Sequence, residues 1–173
     1  MAPLLLLAPG ASGTVAGLRG HVTGLARRGV EARTVQLPRG SAERALPVYL
    51  AALPRGEGRE VVVGGHSFGG RVASFLAAER PVAGLVLLSY PLHRPGHPEQ
   101  WEDRTEHWPR IACPTLLLSG ESDPFAKIDL LRMAVKRLPQ AELVTYPGVR
   151  HGIGPVLDDA LDRIAAWFVQ FGA

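Results

Sequence analysis

The sequence contains no asparagine, a single cysteine, and only two lysines against 17 arginines. One cysteine, Cys113, cannot form a redox pair or a cysteine-ligated zinc site, and it is in keeping with a protein of the reducing cytoplasm. The lack of asparagine and the excess of arginine are typical both of a GC-rich genome and of a thermophile. Composition does not separate these two origins.

Long apolar runs and runs of like charge are also absent. No stretch approaches the length of a transmembrane helix. The apolar residues Leu4–Ala8 have no positive charge before them and end at Pro9, so they predict a buried strand rather than a secretory signal. The formal charge of +3 is spread over single and paired arginines. The sequence therefore favours neither a membrane nor a nucleic-acid partner, and it leaves the oligomeric state open.

Apolar residues make up 46% of the 173 residues and charged residues 20%, which is typical of a folded domain. This length favours one compact domain, which we expect to span residues 1–173. Twenty glycines and 15 prolines predict many tight turns between short elements.

Short apolar runs alternate with stretches of helical spacing along the chain. Several runs are apolar at successive positions, as strands of a parallel sheet buried on both faces require. Strands are predicted at residues 3–8, 30–37, 60–64, 82–89, 115–119 and 142–146. Helical patterns lie at residues 15–25, 72–76, 126–138 and 157–168. The order predicts an α/β fold in three layers, with a mostly parallel sheet of about six strands between two helical layers.

The segment of residues 90–112 has no clean periodicity and contains four prolines and two tryptophans. We expect an ordered excursion over the sheet. The remaining chain is nearly used up by strands and helices, so no lid domain is predicted.

The clearest motif is G-x-S-x-G, which places Ser67 between Gly65 and Gly69. It follows a predicted buried strand and precedes a helical pattern, which is the context of a nucleophile elbow. Such a turn forces the serine into a strained backbone conformation, and the two glycines leave the space that side chains would fill. An incidental serine in a glycine-rich turn is the simpler alternative.

A serine hydroxyl becomes a good nucleophile only when a base removes its proton, and that base needs an anion to orient it. Asp123 follows the fifth predicted strand, with Glu121 as its close rival, and His151 follows the sixth in a glycine-flanked loop. Taken singly, Asp123 fits a helix cap and His151 a surface histidine. Together with Ser67 they have the chain order of the α/β-hydrolase fold.

Acyl transfer also needs hydrogen-bond donors for the oxyanion of the tetrahedral intermediate. The amide of Phe68, directly after the predicted nucleophile, is one candidate. The amide of Ala11, in the glycine-containing loop after the first strand, is the second.

Other polar and aromatic residues admit two interpretations each. Leu92, His93, Trp101 and Trp108 are candidates for a substrate-binding pocket, and the two tryptophans could equally anchor the excursion to the core. His93, His97 and His107 suggest a metal site only weakly, because the prolines between the first two prevent a shared helical face. His21 lies beside an apolar stripe and suits a structural role. We therefore expect no metal and no cofactor.

With these residues in place, the sequence resembles a small uncapped branch of the α/β-hydrolases that is related to dienelactone hydrolases. This branch includes testis-expressed protein 30-like proteins and the hydrolase-like domain of an NSL acetyltransferase-complex subunit. The resemblance runs through most of the chain, and its distinctive parts are Leu88-Ser89-Tyr90-Pro91-Leu92-His93, Pro95-Gly96, Arg104-Thr105-Glu106-His107, Gly120 and Asp123-Pro124-Phe125. The family's usual His-Gly-Ala-Gly-Gly loop is replaced here by Pro9-Gly10-Ala11-Ser12-Gly13. The resemblance implies the fold and the triad more than any particular reaction.

The function expected from these residues is hydrolysis of a small ester or thioester by a serine hydrolase. The alternative from another class is a non-catalytic interaction module with the same fold, since some members of this branch serve as complex subunits. A peptidase of the prolyl-oligopeptidase kind shares the triad, but no peptide-binding domain is evident.

Overall fold

In the computed structural model, which describes residues 1–55 and 60–172, six parallel strands form one sheet in the order β2-β1-β3-β4-β5-β6. The strands are β1 (Leu4–Ala8), β2 (Ala32–Thr34), β3 (Val61–His66), β4 (Gly84–Leu88), β5 (Thr115–Gly120) and β6 (Ala141–Tyr146). The predicted fold class is confirmed. The bounds differ mainly at β2, where only three residues pair with β1, and at β3, which continues to His66.

Within the described residues, six α-helices accompany these strands: α1 (Arg19–Ala26), α2 (Ala42–Ala51), α3 (Phe68–Glu79), α4 (Trp101–Arg104), α5 (Ile128–Val135) and α6 (Leu157–Phe168). The sequence pattern did not predict α2, because Pro47 interrupts its interior. Its start is nevertheless well marked, since the Ser41 side chain accepts a hydrogen bond from the Arg44 amide at 3.3 Å.

Alternate residues of the strands enter two separate apolar clusters. Leu4, Leu6 and Leu87 face a cluster that contains Tyr49 of α2 and Leu76 of α3. Their neighbours in the strands face the opposite cluster, formed with α1 and α6. Both faces of the sheet are therefore covered by apolar clusters, which explains why the strand sequences are continuous apolar runs.

The predicted excursion after β4 is ordered and contains α4 between two short 3-10 turns. Tyr90 and Trp108 anchor it, with their ring centroids 4.9 Å apart and both side chains almost fully buried. The Tyr90 hydroxyl also donates to the carbonyl of Arg104 at 2.6 Å. This segment packs into the cluster on the α2 and α3 face.

Candidate active site

Ser67 connects β3 to α3 in a backbone conformation that few non-glycine residues adopt. Its φ is 49° and its ψ is −118°, and its amide donates to the carbonyl of Leu88 at 2.8 Å. A Cβ at Gly65 would collide with the backbone of Gly69, and one at Gly69 would collide with the carbonyl of Ala8. The two glycines of the motif are therefore what permits this turn, which holds Ser67 at the carboxyl end of the sheet.

Ser67, His151 and Asp123 form one hydrogen-bonded chain. The Ser67 Oγ lies 2.9 Å from His151 Nε2, and His151 Nδ1 lies 2.8 Å from Asp123 Oδ2. The second oxygen of Asp123 accepts from the amide of Phe125 at 2.8 Å. The Asp123 side chain is fully buried, whereas that of His151 is 22% exposed. An ionised Asp123 accepts from Nδ1, which leaves Nε2 as the acceptor for the serine proton.

The two loops that carry the acid and the base are joined directly. The amide of Ser122 donates to the carbonyl of Val149 at 2.9 Å. A Cβ at Gly120 would collide with that same carbonyl, so glycine is required at the end of β5. Glu121, the rival acid, instead accepts from the Thr145 hydroxyl at 2.7 Å. Of the two candidate carboxylates, the structure brings only Asp123 to His151.

Three residues to which the sequence analysis assigned no role at the site surround His151. The ring of Phe125 lies 4.4 Å from the imidazole and that of His66 lies 5.3 Å from it, measured between centroids. Ser89, which has a φ of 50°, accepts from the amide of Gly152 at 3.1 Å. His66 sits inside the motif, but nothing in the motif itself indicates which neighbour it contacts.

The candidate oxyanion donors belong to two segments that adjoin Ser67, the start of α3 and the loop after β1. Phe68 is the first residue of α3, where amides have no acceptor within the helix and the helix dipole favours negative charge. Ala11 lies in a turn closed by a 3.2 Å hydrogen bond from the Gly13 amide to the Gly10 carbonyl. A Cβ placed at Gly10 would be 3.7 Å from the Ser67 Cβ, so this loop passes close to the serine.

The residues predicted to bind substrate are engaged in packing and hydrogen bonds, and His93 also lines a surface cavity that includes Asp123. Leu92 and Trp108 are completely buried in the core cluster on the α2 and α3 face. Both ring nitrogens of the buried His93 are engaged, with the carbonyl of Arg94 at 2.8 Å and the amide of Lys127 at 3.0 Å. The half-buried Trp101 ring lies under the Arg137 guanidinium. These side chains anchor the excursion and its neighbours, because large aromatic groups gain most from full burial.

A different cavity, of about 200 Å³, adjoins the catalytic candidates. Its lining includes the loop after β1, His21 of α1, His66, and residues 152–154 after His151. Burial lowers the pKa of His66 to about 4, and the nearby His151 contributes to that decrease. Burial also lowers the pKa of His21. Both imidazoles are therefore neutral near pH 7.

The three histidines considered for a metal site are separated and engaged in other contacts. His97 pairs with the exposed Glu99 at 3.1 Å, and His107 shares a hydrogen bond with Ser74 at 2.7 Å. Across residues 1–55 and 60–172, no three histidine, cysteine or acidic side chains are grouped so that they could hold a metal ion. Within the same residues, no helix has the length and apolar character needed to cross a membrane.

Several solved structures have a similar architecture. The monoacylglycerol lipase of Paleococcus ferrophilus is similar with a TM-score of 0.84 and 16% sequence identity, over 98% of this chain and 96% of that one. Est1E of Butyrivibrio proteoclasticus is similar with a TM-score of 0.78 and 17% identity, over 98% and 88% of the two chains. At such low identity the likeness establishes the fold.

In sequence, a stretch of 69 residues is 41% identical to a non-heme chloroperoxidase from Burkholderia pyrrocinia. The matching stretch covers 39% of this chain and only about a quarter (25%) of the length of that protein.

A parallel sheet that presents a serine on a strained turn, with a histidine and an aspartate at neighbouring strand ends, has the architecture of an α/β-hydrolase. A family model described as an alpha/beta hydrolase domain matches residues 39–163, which is most of the chain. The chain belongs to this family.

Proposed function

We propose that the protein is a serine hydrolase that cleaves a small ester or thioester through an acyl-enzyme intermediate. The observation that carries the proposal is the hydrogen-bonded chain from Ser67 through His151 to the buried Asp123. The strained turn at Ser67 and the hydrolase family give further support. The proposal also includes membership of the testis-expressed protein 30-like branch of the family. It further includes a cytoplasmic location.

In the first half of the reaction, the Ser67 Oγ attacks the carbonyl carbon while His151 Nε2 accepts the serine proton. The carbonyl oxygen becomes an oxyanion, which the amides of Phe68 and Ala11 stabilise. His151 then donates its proton to the leaving alcohol or thiol as the bond to the carbonyl carbon breaks. Asp123 keeps the imidazole in the required tautomer and stabilises its positive charge.

In the second half, a water molecule attacks the acyl group on Ser67. His151 Nε2 takes a proton from that water and returns it to the Ser67 Oγ when the acid product leaves. Acceleration requires that the amides and the imidazolium stabilise the transition state more than the bound ester.

Labelling with a fluorophosphonate tests this proposal, because the reagent phosphonylates an activated serine. We expect one adduct on the peptide containing Ser67, loss of that adduct in Ser67→Ala, and turnover of short p-nitrophenyl esters by the native protein and the control but not by Ser67→Ala. Ser41→Ala is a matched control, because the Ser41 hydroxyl caps α2 and is not part of the hydrogen-bonded chain of Ser67, His151 and Asp123. Full esterase activity in Ser67→Ala would contradict the proposal.

Native protein that takes up no label and turns over no ester would instead support the alternative of a non-catalytic interaction module. Peptide anilides, tested beside the p-nitrophenyl esters, distinguish a peptidase from an esterase.

A further inference from the structure

The cavity beside His151 has the position and the lining of a substrate subsite. Its volume is about 200 Å³, below the roughly 300–1,000 Å³ of sites that take drug-sized ligands. It therefore suits a short group. Its lining includes Gly10, Thr14, His21, His66 and Gly152.

Small and apolar residues make up most of this lining, and none of them carries a formal charge. The polar side chains are Thr14 and the two histidines. Burial keeps His21 and His66 neutral, with a pKa of about 4 for His66. A neutral imidazole offers one donor and one acceptor, which suits a hydroxyl group, whereas a carboxylate would find no cation here.

His66 links the cavity to the reacting atoms. Its ring lies between the two glycine loops, since a Cβ at Gly10 would be 3.2 Å from His66 Cδ2 and one at Gly152 would be 3.9 Å from Cε1. The same ring lies against His151. Residues 152–154, which also line the cavity, directly follow His151, the proposed proton donor to the leaving group.

His21 supplies an independent observation about this cavity. Its Nδ1 is buried and has no hydrogen-bond partner among the described residues. Buried polar atoms are rarely left without a partner, because the lost hydration is not replaced. An imidazole in this state at the wall of a small cavity is suited to a polar ligand.

We propose that this cavity is the leaving-group subsite, and that it takes a short, neutral alcohol with a second hydroxyl group, which His21 and His66 bind. The assignment rests on the proposed function. The leaving oxygen must lie near His151 Nε2 to receive its proton, whereas the acyl group stays on Ser67. A cavity next to His151 therefore receives the alcohol side of the ester.

Two esters of one acid test the subsite: 2-hydroxyethyl butanoate and n-propyl butanoate, which differ only by a hydroxyl in place of a methyl group. Because the acyl-enzyme is identical, any difference in kcat/KM reports acylation. We expect the native protein to prefer the hydroxyethyl ester by about 3- to 10-fold, the range of one net hydrogen bond.

His21→Leu should bring this ratio close to 1, chiefly by lowering kcat/KM for the hydroxyethyl ester. His21→Gln, which keeps a donor and an acceptor, should restore part of the preference. His97→Leu is the matched control, because His97 is exposed and pairs with Glu99. The rate of fluorophosphonate labelling checks that each variant retains a folded site.

Equal ratios in the native protein and in His21→Leu, with both esters turned over, would overturn the subsite and leave the proposed function standing. Failure of both esters together with failure of labelling would overturn the proposed function, and the subsite with it.

Discussion

His151 is positioned by three different kinds of contact. Asp123 holds its Nδ1 at 2.8 Å, Phe125 and His66 lie against its ring, and Ser89 accepts from the amide of the next residue in its loop. Each contact restricts a different rotation of the side chain or its loop. The imidazole is therefore oriented toward the serine before any substrate binds, which lowers the cost of reaching the reactive geometry.

Asp123→Asn should lower kcat/KM on a short p-nitrophenyl ester by about 10³- to 10⁴-fold. The asparagine amide can donate to Nδ1, so it favours the tautomer in which Nε2 carries the proton and cannot accept one from Ser67. Steady-state kinetics at pH 7 to 8 measures the loss.

Glu121→Gln is the matched control, since its carboxylate lies in the same loop but bonds Thr145. We expect nearly native activity from it. A loss of less than tenfold in Asp123→Asn, or an equal loss in Glu121→Gln, would contradict the assigned role of Asp123.

At the scale of elements, one buried hydroxyl connects α2 to two strands of the sheet, in addition to the apolar packing of the helix. The Tyr49 Oη lies 2.8 Å from the carbonyls of both Leu6 and Gly64, and it accepts from the amide of Gly64 at 3.0 Å. Burial raises the pKa of Tyr49, so the hydroxyl stays protonated. The contact ties α2 to β1 and β3 three residues before Ser67.

Tyr49→Phe should lower the free energy of unfolding by about 2 kcal/mol, because the Gly64 amide loses this buried acceptor. Urea denaturation at pH 7 measures the change. Tyr146→Phe is the control, since its hydroxyl contacts the half-exposed Asp159, and we expect a loss below about 1 kcal/mol. Equal stability of Tyr49→Phe and the native protein would contradict the role of this hydroxyl.

The strands and the turn at Ser67 were predictable because their signals are local. A parallel strand covered on both faces is apolar at nearly every position, and the motif around Ser67 lies within five consecutive residues. Helix α2 was not predictable by the same logic. Pro47 breaks its pattern, and Tyr49 gains its partners only when the helix packs on the sheet.

The cavity depends on packing between distant segments, so its residues carry no shared signal in the sequence. His21, His66 and residues 152–154 meet only because β1, β3 and β6 end at the same edge of the sheet. Conversely, Leu92 and Trp108 occupy the core. Sequence alone does not distinguish an aromatic side chain that lines a pocket from one that anchors a segment.

For the whole molecule, the helical layers and the excursion bury histidines in places where a positive charge is unfavourable. Burial lowers the pKa of both His66 and His107 to about 4. His107 is almost fully buried, stacks on Phe75 and bonds Ser74. In the unfolded chain a histidine titrates near 6.5, so the unfolded state binds more protons than the native state between pH 6.5 and 4. Stability should therefore be complete above about pH 6.5 and fall as the pH approaches 4.

His107→Gln isolates the contribution of one histidine to this fall, because glutamine can keep a hydrogen bond to Ser74 but does not titrate. From pH 7 to pH 5 we expect the native protein to lose on the order of 2 kcal/mol more than this variant, as linkage requires for a pKa lowered from 6.5 to about 4. Urea denaturation at the two pH values measures the difference. His97→Gln should lose as much as the native protein, because His97 is exposed. If His107→Gln were as sensitive to acid as the native protein, the acid sensitivity would have to arise from other groups.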